Sequence, residues 1–268
     1  MLPEFINKSP TPKRLVLSLL SARGMAKTSA AQCTQWGSLF EIEASAMRVT
    51  LGRMLKAGLL TSVARGQYSI GPAGRALSEA AQSWIRAEDR VGAWRGGWLL
   101  IHAVHVQRRD KKAARNRERA LRLEGFKPSY RDLWCRPANY SERLSDTRDR
   151  LMALGLEREA VMVHSLELHM EGVDLTSLWP RRKLESGYLK MTELMQISEK
   201  RLAQMPVDQA ARESFLVGEH AIRLINSDPM LPDAMIDGAA RRKMHATMVH
   251  YDQLGQSAWQ RFQAEILS

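Results

Sequence analysis

Residues 44–74, ASAMRVTLGRMLKAGLLTSVARGQYSIGPAG, constrain this chain more than any other stretch. Apolar residues fall at Met47, Leu51, Met54 and Leu55, the spacing of one buried helical stripe. Ser45 reads as the N-cap, its hydroxyl accepting from an unpaired amide of the first turn. Gly58 stands where a helix C-terminus favours glycine. At about 100° per residue, the side opposite the stripe carries Ser45, Val49, Gly52, Arg53 and Lys56, with Arg48 on the flank. That side has no carboxylate. A helix facing only water usually mixes charge signs. A helix laid on phosphates excludes acids, because each one repels the polyanion.

Two strand-like runs follow, residues 59–63 and 67–70, joined through Arg65-Gly66. Gly66 can take the positive φ of a tight hairpin, which puts Arg65 at its tip. Upstream, residues 13–22 and 32–42 read as two further helices. The order helix, helix, helix, hairpin is that of a winged helix-turn-helix, which holds one helix in the major groove while the hairpin touches the flanking backbone. From Pro12 to Arg75 nine Lys or Arg stand against two acids, a net charge of +7. Double-stranded DNA is therefore the expected partner. The plainer readings are a winged helix used for protein docking and a helical face that is merely solvated. Arg48, Arg53, Ser45 and Lys56 are the expected groove and phosphate contacts. Thr50 lies to one side of them, and Arg65 and Gln67 serve the wing.

The whole chain has 268 residues, room for two or three domains, and carries a net +11. Its two cysteines, Cys33 and Cys135, are far apart and give neither a disulfide framework nor metal-ligand spacing. A reducing, cytoplasmic setting is the simplest expectation. No apolar run reaches the length of a membrane span. The short apolar run within residues 13–20 follows two prolines and reads as the first helix of the module rather than as a signal peptide.

Three segments follow from the pattern: residues 12–90, the DNA-binding module with a linker helix over 72–89; residues 91–172; and residues 173–268. In the second, 98–106 is a continuous apolar run, as expected of a buried strand. A basic helix over 108–123, short strands around 125–126 and 133–137, a helix over 141–154 and a strand over 160–168 complete it. That order suggests a small ferredoxin-like α+β domain. The third segment reads as three helices, 181–204, 208–226 and 239–266, with Asp228-Pro229-Met230-Leu231-Pro232 breaking the pattern between the last two. The expected class is α+β, predominantly helical.

Residues 108–122 hold eight basic and two acidic side chains. Arg108, Lys112, Arg115, Arg119 and Arg122 recur every three or four positions and share one face. This is either a solvated helix or an anion site, for DNA backbone or for a ligand bearing phosphates. There is no phosphate-binding loop, dinucleotide fingerprint, nucleophile elbow or zinc-protease motif. His102 with His105, and His245 with His250, have no cysteine near them. His164, His169 and His220 stand alone. No metal site and no catalytic residue is expected. A metal-dependent nuclease on the central domain is the rival from another class, but the strand over 98–106 offers no carboxylate to hold an ion.

Several of these stretches resemble the PaaX-type transcriptional regulators, repressors of phenylacetic acid catabolism. Ala46-Met47-Arg48, Leu51, Arg53 and Gly58-Leu59-Leu60 are similar to the family's recognition-helix pattern. Trp94-Arg95-Gly96-Gly97-Trp98 resembles its aromatic motif before a strand. Gly125-Phe126 with Leu133-Trp134-Cys135-Arg136-Pro137, and Asp228-Pro229-Met230-Leu231-Pro232, resemble two more. The likeness runs in order from about residue 12 to 262. It implies a winged helix, a central ferredoxin-like (Cas2-like) domain, a helical C-terminal domain, a homodimer, and release from DNA by an aryl-acyl-CoA thioester, typically phenylacetyl-CoA. The chain departs from the pattern at Glu41, where the family has glycine, and at Gly52, where a small polar residue is usual. The tryptophan expected near Ile236-Asp237 is also missing, and the central helix is unusually basic.

Overall fold

Helix α1 (Pro12–Ser21) buries Leu15, Val16, Leu19 and Leu20. It belongs to a computed structural model that describes residues 8–21, 27–103, 110–130, 133–168 and 171–267. The short strand β1 (Thr28–Ser29) hands over to α2 (Ala30–Ser38) through a capping box. The Gln32 amide donates to Ser29 Oγ at 3.1 Å, and the Ser29 amide donates to Gln32 Oε1 at 2.9 Å. The helix therefore starts two residues before the expected 32. It ends at Ser38 rather than at 42, because Glu41 takes φ +59° and turns the chain out of the helical path.

Helix α3 (Ala44–Lys56) follows at once. Its N-cap is Glu43, in extended conformation and without a side-chain cap bond, and Ser45 lies one position inside the helix. The expectation for Ser45 is thus corrected. The left-handed turn at Glu41 delivers the chain to Glu43, whose carbonyl already accepts from the Met47 amide at 3.0 Å. Met47, Leu51 and Met54 are buried, as their spacing requires. At the far end Leu59 N–H donates to Met54 O and Gly58 N–H to Leu55 O, with Gly58 at φ +66°. That is a Schellman cap, and glycine meets it without strain.

Strands β2 (Leu60–Ala64) and β3 (Gln67–Ile70) pair antiparallel, with Ala64 opposite Gln67 and Arg65-Gly66 as the turn. The register shifts between Ser62 and Ala64, which leaves Val63 as a bulge. The sheet order is β1-β3-β2. Helix α4 (Pro72–Gln82) packs so close to the end of α3 that a Cβ on Gly74 would lie 2.2 Å from Leu59 O. It stops short of the expected residue 89 and is continued by two 3-10 turns, Ser83–Arg86 and Glu88–Arg90.

The second sheet has the order β5-β6-β4-β7, with every neighbouring pair antiparallel. In chain order come β4 (Trp98–His102), α5 (Lys111–Leu123), β5 (Lys127–Tyr130), β6 (Leu133–Pro137), α6 (Leu144–Leu154) and β7 (Val161–Ser165). Leu99 and Ile101 from β4, Ala120 and Leu121 from α5, and Leu151 from α6 share one core with Phe126. The expected strand over 98–106 ends at His102, and residues 104–106 lie outside the described residues.

Three long helices complete the fold: α7 (Arg181–Leu202), α8 (Val207–Asn226) and α9 (Gly238–Leu267). Their bounds differ from the sequence reading by two residues at most. The architecture is α+β and mostly helical, with two small antiparallel sheets. The chain forms two compact units, neither of them a continuous stretch. One holds the chain through Ile85 with Glu193–Ile222 and the chain from Thr247 on. The other holds Arg86–Thr192 with Arg223–Ala246.

Candidate nucleic-acid interface

Within the first unit, the buried stripe of α3 fixes which side of the helix remains outside. Ser45, Arg48, Val49, Gly52, Arg53 and Lys56 are all exposed, whereas Thr50 is half-buried. Val49 is 52% exposed, and nothing lies within 4 Å of where a Gly52 Cβ would stand. The result is a smooth apolar strip between flanking cations. Among the described residues neither Arg48, Arg53, Lys56 nor Arg65 makes an ion pair. Their charge is thus not spent on a neighbouring carboxylate. Glu41 and Glu43 precede the helix and are themselves exposed.

The hairpin projects from the same unit. Thr61 through Gly66 are exposed, with Arg65 at the turn beside Gly66 at φ +71°. Gln67 is half-buried, because its strand lies between β1 and β2 and its backbone pairs on both sides. It is the least accessible of the wing residues read from the sequence.

Helix α5, in the second unit, begins at an Asp110 cap that accepts from the Lys112 and Ala113 amides at 2.8 and 3.1 Å. Lys112, Arg115, Arg119 and Arg122 are exposed, and Arg108 lies outside the described residues. Arg115 Nε donates to Lys111 O at 3.0 Å. The Arg122 guanidinium sits 5.4 Å from the Trp134 ring centroid, a cation–π contact. Arg117 leaves the stripe and pairs with Glu157 at 2.6 Å.

No local pattern in the sequence marks the buried charge network in the second unit. Arg136 is fully buried over the Tyr140 ring at 3.5 Å. It donates to Asn139 Oδ1 at 2.9 Å and to the carbonyls of Glu124 and Pro229, while Asn139 Nδ2 donates to Met230 O at 2.7 Å. Glu124, only 5% exposed, accepts from Arg90 at 2.7 Å and from Arg150 at 3.0 Å. Burial pushes its carboxyl up, but Arg150 and Arg90 outweigh that and hold it below the ordinary range. A Cβ on Gly125 would lie 2.7 Å from Pro229 O, and Trp179 Nε1 donates to Gly125 O at 3.1 Å. Three separate motifs, around Gly125, Arg136 and Asp228, therefore meet in one place. Their contacts pack these three segments against one another.

Burial lifts the thiols of Cys33 and Cys135 to about 11, so neither is a thiolate at neutral pH. Among the described residues no three His, Cys, Asp or Glu side chains gather as a metal site requires, and no helix is long and apolar enough to cross a membrane. His250 contacts Glu199 at 2.8 Å, and His105 and His169 lie outside the described residues.

No family model and no curated protein matches the chain. Among solved structures, that of the uncharacterized protein Rv0674 from Mycobacterium tuberculosis is similar, with a TM-score of 0.59 at 20% identity. The match covers 93% of this chain and 99% of that one. At that identity the likeness concerns the fold alone.

Proposed function

We propose that this chain is a DNA-binding transcription regulator whose first unit presents a winged helix-turn-helix. One observation carries the reading: the outward side of α3 is exposed, free of acids, and lined by Arg48, Arg53 and Lys56, which have no ion-pair partner among the described residues. The element order and the β1-β3-β2 sheet support it, since they place a hairpin directly after that helix. Val49 and Gly52 then suit close approach to base edges, and a thymine methyl would meet an apolar surface. Arg65 reaches the adjoining backbone. The second sheet, with its β-α-β-β-α-β order, supports a ferredoxin-like central fold.

Together with the motif resemblance, this makes a cytoplasmic, homodimeric repressor of the phenylacetate-regulator type the best reading. Its effector class is an aryl-acyl-CoA thioester, with the exposed cations of α5 as the place for the phosphates. Release requires that the thioester bind the DNA-free arrangement more tightly than the DNA-bound one. The test is fluorescence anisotropy with duplex DNA in dilute buffer, followed by footprinting of the adjacent promoter with and without acyl-CoA thioesters. Binding that falls steeply with salt is expected, with log K declining by about 0.9 per neutralised phosphate per decade of salt. No binding at low ionic strength would end the proposal. Arg115→Glu with Arg119→Glu separates the two roles of α5: weaker release at unchanged DNA affinity assigns it to the effector.

A further inference from the structure

The outward side of α3 is divided into a central ridge and two flanks. At about 100° per residue, Ser45, Val49, Gly52 and Lys56 fall within about 60° of one another, opposite the buried Met47, Leu51 and Met54. Arg48 and Arg53 lie about 70° to either side of that ridge. All six outward residues are exposed. The ridge is therefore uncharged from Ser45 to Gly52, and the arginines stand on its flanks.

A major groove, about 12 Å wide, has a floor of base edges between two walls of phosphate. A helix seated in it turns its central ridge to the floor and its flanks to the walls. Arg48 and Arg53, which make no ion pair among the described residues, then meet phosphates. From Ser45 to Gly52 the ridge has no Arg, Asn or Gln, the side chains that read guanine or adenine through paired hydrogen bonds. It offers a base the hydroxyl of Ser45, the exposed isopropyl group of Val49 and bare backbone at Gly52. The fold does not demand that glycine. No atom stands near its missing Cβ, and in a helix interior only proline is a poorer choice. What the absent side chain permits is close approach of the α3 backbone to a ligand.

We propose that α3 selects its operator by the 5-methyl group of a thymine lying beneath Val49, and that Gly52 lets the helix come close enough for the two to touch. That methyl is the apolar group a base pair presents in the major groove. Pressed on a guanine, adenine or cytosine edge, Val49 would strip water from polar atoms and return no hydrogen bond. The inference rests on the regulator reading and deepens it. Sequence is read by methyl contact on the ridge, and the flanking arginines supply affinity that is blind to sequence.

The test uses duplexes selected by the full chain from a randomised library and remade with uracil for thymine, one position at a time. Uracil keeps the charge, the pairing and the O4 acceptor of thymine and lacks only the methyl. At one position the parent is expected to lose about fourfold in affinity, the effect of leaving one methyl-sized group without its apolar contact. In Val49→Ala the same replacement should cost less than about twofold, a coupling that a merely structural role for Val49 would not produce. Gly52→Ala should weaken the selected duplex severalfold while its melting temperature stays equal or rises. A parent indifferent to uracil at every position, a uracil loss of equal size in Val49→Ala, or full affinity in Gly52→Ala would each overturn the inference and leave DNA binding standing. A parent that binds no duplex at low ionic strength would remove the regulator reading and this inference with it.

Discussion

Glu41 shows how a single position can carry both strain and charge. Its φ of +59° lies in the left-handed region, where a side chain costs roughly 1–2 kcal/mol and glycine almost nothing. Glu41→Gly is expected to raise stability by up to about 1 kcal/mol, after allowing for the greater freedom of glycine in the unfolded chain. Chemical denaturation would measure it, and a loss of stability would show that the Glu41 side chain holds the turn in some other way. Glu124 and Asp228 differ in sign. Arg150 and Arg90 keep the folded Glu124 carboxyl below its ordinary range, so its contribution is full above that range and fades as pH falls through the folded value. Burial raises Asp228 instead, so the folded state is favoured when that group is protonated, and stability falls as pH rises from the ordinary aspartate range through the raised value. Urea midpoints across pH 3–8 should therefore show Glu124→Gln destabilised at neutral pH and converging on the parent in acid. Asp228→Asn, which can keep the acceptor for the Met230 amide, should be more stable than the parent at neutral pH and lose that advantage in acid. Gly58 and Gly66 were legible because their conformations suit glycine and little else. Arg136 and Glu124 were not, since their partners Pro229 and Arg150 lie far along the chain, and no local pattern marks a paired buried charge.

At the scale of elements, α3 was readable because its apolar stripe sits at helical spacing and its far side lacks acids. Its start was not, because the turn at Glu41 sets the start, and glutamate rarely announces a left-handed turn. The capping box at Ser29 and Gln32 was a missed signal of ordinary strength, and it moves α2 by two residues. Helix α3 also bears the prediction that separates base contact from phosphate contact. If Arg48 and Arg53 reach base edges, each alanine substitution costs about 1–3 kcal/mol on the preferred duplex and relaxes specificity there. A phosphate contact would instead weaken every sequence alike and reduce the salt slope by about one unit. Anisotropy titrations with operator and scrambled duplexes, over a range of salt, distinguish the two. Both variants should melt like the parent, because the two side chains are exposed and make no ion pair among the described residues. Unchanged affinity in both would leave α3 no role on DNA.

For the molecule as a whole, what matters is that sequence order and packing order differ. The first unit draws on residues through Ile85, but also on Glu193–Ile222 and the chain from Thr247 on. Periodicity located helices α8 and α9 to within a residue or two, yet it carries no information on which distant helix covers which surface. Phe215 contacts both Phe40 and Trp259, with ring centroids 5.2 and 6.1 Å away, and so joins parts of the chain that local reading keeps separate. Phe40 is 2% and Leu19 4% exposed in the full chain. A fragment of residues 1–90 would lose Phe215, Glu219 and Trp259 as neighbours. Uncovering Phe40 and Leu19 alone costs about 1.5–3 kcal/mol each. In a domain of that size each kcal/mol lowers the melting midpoint by roughly 4–8 °C. The fragment is therefore expected to melt at least about 10 °C below the full chain, or without a cooperative transition, and to bind duplex DNA correspondingly less well at 37 °C. Circular dichroism melts of fragment and full chain, set beside their affinities at 10 °C, decide the matter. A fragment that melts with the parent would show that α8 and α9 lie against the first helices without supporting them.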